Sequence, residues 1–102
     1  MKVRLLPEAQ RQGEEAEAWW RANRPRAPSL FTDELNAALE RIAKSPAVGV
    51  PRAHRRVAGL RRLLLLETRH HLYYVLDPAR DEAVVLSVWS AVRGRGPRLK
   101  RA

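Results

Sequence analysis

The back half of this chain contains three apolar segments of strand length, residues 60–67, 71–77 and 83–90, which follow one another closely. Their leucine, valine and aromatic content is typical of β-strands. The joining segments, 67–70 and 77–81, are short and rich in residues that favour turns. Because a parallel connection needs a dozen residues or more, the sequence predicts a three-stranded antiparallel meander.

The chain opens with a short strand followed by a helix. Val3 and Leu5 alternate with basic residues, which suits a strand with one buried face. Pro7 interrupts strand pairing and is well placed in the first turn of a helix. Apolar or small residues then recur at spacings of four, three and four, at Ala9, Gly13, Ala16 and Trp20, with Trp19 beside them. The pattern predicts a helix over residues 7–22.

A second helix follows a break at residues 23–28, which contain two prolines. Ser29 is a suitable N-cap, and acidic residues in the next turn suit the positive end of the helix dipole. The apolar residues of this helix share one face: Phe31, Leu35, Ala38, Leu39 and Ile42. Lys44 lies at the favourable C-terminal end, and Pro46 ends the helix. The front half is therefore predicted to be a strand followed by a helical hairpin.

Together these elements predict one α+β domain over residues 1–102 with the order β-α-α-β-β-β. We expect the helical hairpin to pack on one face of a small, mostly antiparallel sheet. The other face stays partly open and carries alternate strand residues: Arg62, Tyr73 or Tyr74, and Ser87 or Trp89. Residues 93–102 form a basic C-terminal tail, whose arginine–glycine alternation predicts an irregular chain that is mobile unless it docks. Function is expected on the open face.

Positive charge is concentrated in the back half of the chain. The formal net charge is +9; from Arg52 onward there are twelve basic and four acidic residues, whereas up to Lys44 the counts are eight and seven. Such a distribution favours a polyanionic partner, which could be nucleic acid, the ribosome, an acidic protein or an anionic membrane surface. The front half is more balanced and is expected to act as scaffold.

The composition also excludes several kinds of protein. The chain has no cysteine, so disulfides and thiolate metal sites are excluded. The longest aliphatic run, residues 63–66, is far shorter than the roughly 20 residues that a membrane-spanning helix needs. The N-terminus has no apolar stretch of signal-peptide type. We therefore expect a cytoplasmic protein.

Three motifs mark the back half of the chain. They are Gly59-Leu60-Arg61-Arg62 at the entry to the meander, Tyr73-Tyr74-Val75-Leu76-Asp77 in its second strand, and Val88-Trp89-Ser90-Ala91-Val92-Arg93-Gly94-Arg95 at its exit. With the length and the order of elements, they resemble the RelE/ParE toxin superfamily of bacterial type II toxin–antitoxin modules over nearly the whole chain. The resemblance implies a growth-arresting toxin without a cofactor, in a hetero-oligomer with a cognate antitoxin that carries an acidic segment. It also implies one of two targets: DNA gyrase, which is poisoned, or messenger RNA on the ribosome, which is cleaved.

The resemblance is nearer to the ParE-like branch, which acts on gyrase by binding. Two arginines of the RNA-cleaving branch are matched by Arg62 and Arg93. That branch often adds a tyrosine or histidine after the last strand, and lysines or a glutamate before the meander. Here neither tyrosine nor histidine follows Trp89, and the lysines are Lys2, Lys44 and Lys100. We therefore expect binding rather than catalysis; the alternatives are a metal-free, ribosome-dependent RNA endonuclease and a non-toxic basic RNA-binding module.

Arginines and a tryptophan are the expected binding residues. The arginines expected to contact the target are Arg55, Arg56, Arg62, Arg93, Arg95 and Arg98. Because successive strand residues alternate, only one of Arg61 and Arg62 can line the open face. For the antitoxin we expect the exposed member of Trp19 and Trp20, because the centres of interfaces are rich in tryptophan.

If the chain cleaves RNA, a proton carrier must act beside Arg62 and Arg93. The candidates are His54, His70 and His71, because histidine titrates close to neutral pH, with Glu67 as a further one. Two neighbouring histidines in a strand point to opposite faces, so at most one of them can face the open side. No second histidine or carboxylate stands at a usual ligand spacing, and no metal site is expected.

Overall fold

The computed structural model describes residues 1–100, in which two helices pack on a five-stranded sheet. In chain order the elements are β1 (Lys2–Leu5), α1 (Pro7–Asn23), α2 (Leu30–Lys44), β2 (Val50–Pro51), β3 (Arg61–Leu65), β4 (His70–Asp77) and β5 (Glu82–Ser90), with 3₁₀ turns at Pro46–Val48 and Pro78–Arg80. The strand order across the sheet is β1-β5-β4-β3-β2. β1 runs parallel to β5, and the other pairs are antiparallel. The predicted α+β fold, with its helical hairpin and antiparallel meander, is confirmed.

The short edge strand β2 is not among the predicted elements. It lies in the connection between α2 and the meander, where Val50 pairs with Arg62 and Pro51 pairs with Arg61. A strand of two residues is too short to show an alternating pattern, and proline is tolerated only at a sheet edge. β2 forms because β3 offers it a free edge, which no local pattern reveals.

Both helices bury their predicted apolar faces. α1 buries Ala9 and Gly13, with Ala16 and Trp20 partly covered, and α2 buries Phe31, Ala38 and Ile42. They pack on one face of the sheet, which contributes Leu63, Leu65, Leu72, Tyr74, Ala83, Val85 and Val88. We call this cluster the main core. Its helical contribution follows the periodicity of the sequence because each helix presents one apolar stripe to the sheet.

Ser29 stands at the N-cap position of α2, as predicted, but its hydroxyl caps no backbone amide. The hydroxyl instead donates to the carboxylate of Asp33 at 3.3 Å. The amide of Asp33 bonds the carbonyl of Ser29 at 2.9 Å. The serine therefore acts through a side chain one turn ahead rather than through the backbone capping that its position predicts.

A β-bulge interrupts the pairing of β4 with β5. Tyr73 pairs with Ser87, whereas Tyr74 pairs with Val85, so Leu86 has no partner in the ladder. Val85 belongs to the main core, and Leu86 packs on the opposite face of the sheet. Val88, three residues after Val85, again belongs to the main core, so the extra residue shifts the alternation of side chains along β5.

Gln12 of α1 bonds the edge that β5 exposes beyond the end of β1. Its Oε1 accepts from the hydroxyl of Ser87 at 2.9 Å and from the amide of Val88 at 2.8 Å. Ser87 is 1% exposed. The sequence predicts Ser87 or Trp89 on the open face. Trp89 lies there beside His71, whereas Ser87 is buried and bonded to Gln12, so the prediction is correct for Trp89 and wrong for the exposure of Ser87.

The sheet face opposite the helices carries a second, smaller core. Its members are Val57, Leu60, Tyr73, Val84, Leu86 and Leu99. Val57 and Leu60 come from the loop before β3, and Leu99 comes from the C-terminal segment. The face predicted to be open is therefore covered at its centre, and only its two ends are available for binding.

Candidate binding face

One end of the partly covered face exposes a group of polar and aromatic side chains. Leu64, His71 and Trp89 lie side by side on β3, β4 and β5, because Leu64 pairs with His71 and His71 pairs with Trp89. Arg62 precedes Leu64 on the same face of β3 and Arg93 follows β5. We call these five residues the open end.

Arg61 and Arg62 diverge to opposite sides of β3, as predicted. The guanidinium of Arg61 donates from Nη1 to the carbonyls of Ala47 at 3.1 Å and Gly49 at 2.7 Å. Arg61 therefore ties the 3₁₀ turn after α2 to the sheet. Arg62 lies near His71, whose pKa its charge lowers, and it is the member of the pair that remains available to a partner.

His71 is the histidine placed at the open end. Partial burial lowers its pKa, and the charges of Arg62 and Arg52 lower it further. The ring meets Tyr73 edge-on, with 6.0 Å between centroids. Because the pKa lies below the ordinary value of 6.5, the imidazole is largely neutral at pH 7, and one nitrogen of a neutral imidazole is unprotonated and can act as a base.

His70 faces the helices instead. Its ring meets Phe31 edge-on at 5.0 Å, and its Nδ1 lies 3.0 Å from the carbonyl of Thr68. Burial lowers the pKa of His70. The two histidines thus lie on opposite faces, as the alternation predicts. Glu67 is exposed in the turn before them, where its amide donates to Glu34.

His54 lies at the other end of the face, in a concave groove. Its Nδ1 accepts the amide of Arg56 at 3.1 Å, which fixes the loop. The groove is lined by Arg55 and Arg56 of this loop together with Arg4 and Arg80. We call it the basic groove. Neither Arg62 nor Arg93 lines it, so the six arginines predicted to contact a target do not form one cluster.

Trp89 and Arg93 form the outer part of the open end. The guanidinium of Arg93 stacks on the Trp89 ring, with its carbon 4.3 Å from the centroid. The indole Nε1 donates to the carbonyl of Arg95 at 2.8 Å. Trp89 therefore fixes the chain where it leaves β5, although the sequence predicts no role for it beyond its place on the open face.

The C-terminal segment, residues 93–100, is irregular as predicted, and it is docked. Leu99 is 5% exposed and packs in the second core. Gly96 passes over the hydroxyl of Tyr73, to which a β-carbon at this glycine would come within 3.9 Å. Arg95 and Arg98 point from this segment into solvent. The remainder of the predicted tail, residues 101–102, lies outside the described residues.

The two tyrosines of β4 are both buried, so neither is exposed on the open face. Tyr73 points to the face opposite the helices but is 7% exposed, because the C-terminal segment and the loop before β3 cover it. Tyr74 points toward the helices and is fully buried. The prediction of a tyrosine on the open face is therefore wrong as to exposure, although it is right about the direction of Tyr73.

Trp19 and Trp20 divide between surface and core, as predicted. Trp19 is 50% exposed. Trp20 packs against the main core, and its Nε1 donates to the carbonyl of Ala27 at 2.9 Å. The guanidinium of Arg24 lies 5.3 Å from the Trp19 ring and 5.7 Å from the Trp20 ring. Trp19 is therefore the member available for contact with a partner.

Three further basic residues lie at the open end or in the basic groove, although the sequence does not predict them there. Arg52 lies close enough to His71 to lower its pKa, and Arg4 and Arg80 line the basic groove. Arg4 comes from β1 and Arg80 from the turn before β5. They are distant in sequence from the arginines of the loop, so only the topology of the sheet brings them together.

Residues 1–100 contain no group of three or more histidine, cysteine, aspartate or glutamate side chains placed to hold a metal ion. Over the same residues, neither helix has the length and apolar character needed to cross a membrane.

Comparison with known proteins gives matches in structure but not in sequence. No family model matches the chain, and no curated protein matches it. A chain of the chromosomal ParDE TA system from P. aeruginosa matches with a TM-score of 0.71 at 13% identity, over 88% of this chain and 95% of that chain. The isolated E. coli RelE toxin matches with a TM-score of 0.58 at 18% identity, over 91% of this chain and 86% of that chain.

A third match is the YoeB dimer from Staphylococcus aureus, with a TM-score of 0.55 at 17% identity, over 87% of this chain and 94% of that chain. The chain therefore has the fold of the RelE/ParE superfamily. The resemblance predicted from its three motifs is confirmed at the level of the fold.

Proposed function

We propose that this protein is the toxin of a type II toxin–antitoxin module, acting in the bacterial cytoplasm, and that it arrests growth by binding and poisoning DNA gyrase. The observation that carries the proposal is the structural match to the ParDE chain, which extends over 95% of that chain. The match covers 88% of this chain rather than one motif.

The distribution of the basic side chains supports binding rather than cleavage. A metal-free ribonuclease needs a base, an acid and a cation within hydrogen-bond reach of one phosphate. His54 lies in the basic groove and His70 packs against Phe31, so His71 is the one histidine of residues 1–100 at the open end. Arginines along a broad face are better suited to an extended anionic surface than to a single phosphate.

RNA cleavage is the second candidate function, and the environment of His71 favours it. The largely neutral imidazole lies near Arg62. In such a reaction His71 would take the proton of the RNA 2′-hydroxyl as it attacks the phosphorus. Arg62 would stabilise the negative charge on the phosphorane. A further group would have to protonate the departing 5′-oxygen.

The partner in either case is a cognate antitoxin with an acidic segment, which would form a hetero-oligomer with the toxin. Trp19 is the proposed anchor on the helical hairpin, because it is half exposed and Arg24 stacks against its ring. A tryptophan at an interface contributes a large contact area at little entropic cost. The net charge of +9 complements an acidic partner and would speed association.

Induced expression in a test bacterium, with and without the neighbouring gene, tests the proposal. The expected result is growth arrest that the neighbouring gene relieves, with intact transcripts and an induced DNA damage response. Codon-phased cleavage of transcripts would instead support the second candidate. Absence of arrest in cells that contain the folded protein would contradict both.

A matched pair of variants links the arrest to the open end. Arg62→Gln/Arg93→Gln removes two positive charges there, and we expect it to reduce the arrest. Arg21→Gln/Arg26→Gln removes the same charge from exposed positions in and after α1 and should arrest growth as the parent does. Equal loss in both variants would mean that total charge, rather than the open end, determines toxicity.

A further inference from the structure

The exposed apolar side chains of this protein are gathered at the open end. Within residues 1–100 the large hydrophobic residues that remain exposed are Trp19, Val50, Leu64, Leu66 and Val92. Trp19 lies on α1, and the other four lie in or around the open end. We call these four the apolar patch. Leu66 is 70% exposed and Val92 is 73% exposed. Exposed apolar side chains that cluster in this way mark a surface that binds a partner.

The sheet register places the first part of the apolar patch on the face opposite the helices. Val50 of β2 pairs with Arg62 of β3, so their side chains share a face. Leu64 follows Arg62 by two residues and therefore lies on the same face. Leu63 and Leu65 point the other way, into the main core. Val50 and Leu64 thus lie on either side of the exposed edge of the sheet, beside Arg62.

The rest of the apolar patch lies where the turn between β3 and β4 meets the end of β5. Leu66 is the first residue after β3. The amide of Ala91 donates to the carbonyl of Arg69 at 2.7 Å, which joins the segment after β5 to this turn. Val92 therefore lies beside the turn. Neither Leu66 nor Val92 packs in the main core or the second core.

Arginines surround the apolar patch. Those in or beside the open end are Arg52, Arg62, Arg69, Arg93 and Arg95. None of the five makes an ion pair within residues 1–100. Two carboxylates lie nearby: that of Glu34 accepts three hydrogen bonds from the turn after β3, and Glu67 is exposed in this turn. The positive charge at this end is therefore largely uncompensated.

A partner of this surface must accept aliphatic side chains and positive charge together. Nucleic acid supplies negative charge, but its bases stack on aromatic rings rather than on leucine or valine. A second copy of the chain would bring the same five arginines face to face, and like charges repel. An anionic lipid bilayer offers phosphate groups above a hydrocarbon layer. It is also among the partners that the charge distribution of the sequence favours.

We propose that the open end binds the surface of an anionic lipid membrane as a peripheral contact. Leu64, Leu66 and Val92 would enter the boundary between the headgroups and the acyl chains. The guanidinium groups of Arg62 and Arg93 would stay at the level of the phosphates, while their aliphatic stems cover apolar surface below. The inference goes beyond the proposed toxin function and does not depend on it, because it rests on the exposed side chains of this end.

Sedimentation of the purified full chain with vesicles tests the inference. Vesicles of phosphatidylglycerol and phosphatidylethanolamine in equal parts should bind the protein, whereas vesicles of phosphatidylcholine alone should not. Leu64→Ser/Leu66→Ser changes no charge and should lower the binding about ten-fold, because two leucines partly buried in the membrane contribute a factor of this order. Trp19→Ser removes an exposed apolar side chain from α1 and should bind as the parent does.

A second pair of variants tests the charge. Arg62→Gln/Arg93→Gln should lower vesicle binding about 25-fold, because each arginine near an anionic surface contributes a factor of about five. Arg21→Gln/Arg26→Gln removes the same charge from exposed positions in and after α1 and should have a much smaller effect. Circular dichroism verifies the fold of each variant. No binding to the anionic vesicles, undiminished binding of the leucine variant, or equal loss in the two arginine variants would each overturn the inference.

A fluorescent label reports whether the apolar patch enters the lipid. The chain has no cysteine, so Leu66→Cys provides a single attachment site for a dye whose emission depends on polarity. Gln10→Cys, at an exposed position of α1, is the control. With anionic vesicles we expect a blue shift of the emission at residue 66 and none at residue 10.

No shift at residue 66 would overturn the inference. A shift there with the product of the neighbouring gene, but not with vesicles, would assign the apolar patch to a protein partner instead. Because neither the vesicle assay nor the label depends on growth arrest, a negative result here would not count against the proposed toxin function.

Discussion

The hydroxyl of Tyr74 accepts a hydrogen bond of 2.8 Å from the backbone amide of Gly49, which fixes the connection between α2 and β2 to the middle of the sheet. The same hydroxyl donates to the carbonyl of Pro46 at 2.7 Å. Burial raises the pKa of Tyr74, so the hydroxyl keeps the proton that this second bond requires. The two bonds hold the segment from Pro46 to Gly49 in place, and the carbonyl of Gly49 accepts a further bond from Arg61.

Gly49→Ala is expected to lower the free energy of unfolding by about 3 kcal/mol, because the new methyl group would force Tyr74 out of its place. A β-carbon at residue 49 would lie 2.6 Å from the tyrosine hydroxyl and 2.7 Å from the ring. Gly94→Ala is the matched control, since nothing lies within 4 Å of a β-carbon there. Urea denaturation measures the stability of both variants, and equal stability would contradict the predicted clash with Tyr74.

Glu34 of α2 holds the turn between β3 and β4. Its carboxylate accepts the amides of Glu67 at 2.7 Å and Thr68 at 2.9 Å, and the hydroxyl of Thr68 at 2.6 Å. Burial alone would raise the pKa of Glu34, but these bonds outweigh it and lower the pKa below 4.5. The Glu34 carboxylate therefore binds a proton less readily in the folded state than in the unfolded chain.

Glu34→Gln is expected to cost about 1–2 kcal/mol of unfolding free energy at neutral pH, because charge-assisted hydrogen bonds to a partly exposed group are lost. The stabilisation by the carboxylate is present above the ordinary pKa of glutamate and is lost as pH falls through the lowered value. The stabilities of parent and variant should therefore converge in acid. Urea denaturation at several pH values measures this, with exposed Glu40→Gln as the control; a difference that stays constant with pH would refute it.

Leu99 anchors the C-terminal segment, and Leu99→Ala is expected to lower the unfolding free energy by about 1–3 kcal/mol. The loss arises because Leu99 is 5% exposed in the second core. Leu66→Ala removes the same side chain from a position that is 70% exposed and should have little effect. Thermal denaturation and limited proteolysis of the segment distinguish the two. A Leu99→Ala variant that is as stable and as protected as Leu66→Ala would show that the segment is not docked.

His71→Gln is expected to leave growth arrest intact, because binding of a target does not require a proton carrier. The glutamine retains a polar side chain beside Arg62 and leaves the fold undisturbed, which circular dichroism would verify. Growth after induced expression measures the effect. A different outcome would assign His71 as the base of an RNA endonuclease: the parent cleaves transcripts in phase with codons, and the folded variant neither cleaves them nor arrests growth.

Local patterns were sufficient to predict the helical hairpin and the meander. The burial of Ala9 in α1 and of Ile42 in α2 can be predicted from apolar residues only three or four positions away. The bulge at Leu86 depends on pairing with β4. The docking of Leu99 depends on a core assembled from the loop before β3 and the strands β4 and β5. Neither interaction leaves a periodic signal in the sequence.

The same distinction holds for the candidate site. Strand alternation correctly separates His70 from His71, because it needs only the existence of β4. It is wrong for the exposure of Tyr73, since the C-terminal segment that covers this residue is distant in sequence. The basic groove forms where Arg4 and Arg80 lie near the loop arginines Arg55 and Arg56. The order of strands across the sheet determines this proximity.

The parallel pairing of β1 with β5 sets when a newly made chain can finish folding. Lys2 pairs with Glu82, and Leu5 pairs with Val85, so β1 cannot pair until β5 has been synthesised. Contacts at such separation are slow to form because the intervening loop must first be closed. The basic groove also stays incomplete until then, because it needs both Arg4 of β1 and Arg80 of the turn before β5. A polypeptide interrupted before β5 would therefore lack both the finished sheet and the basic groove.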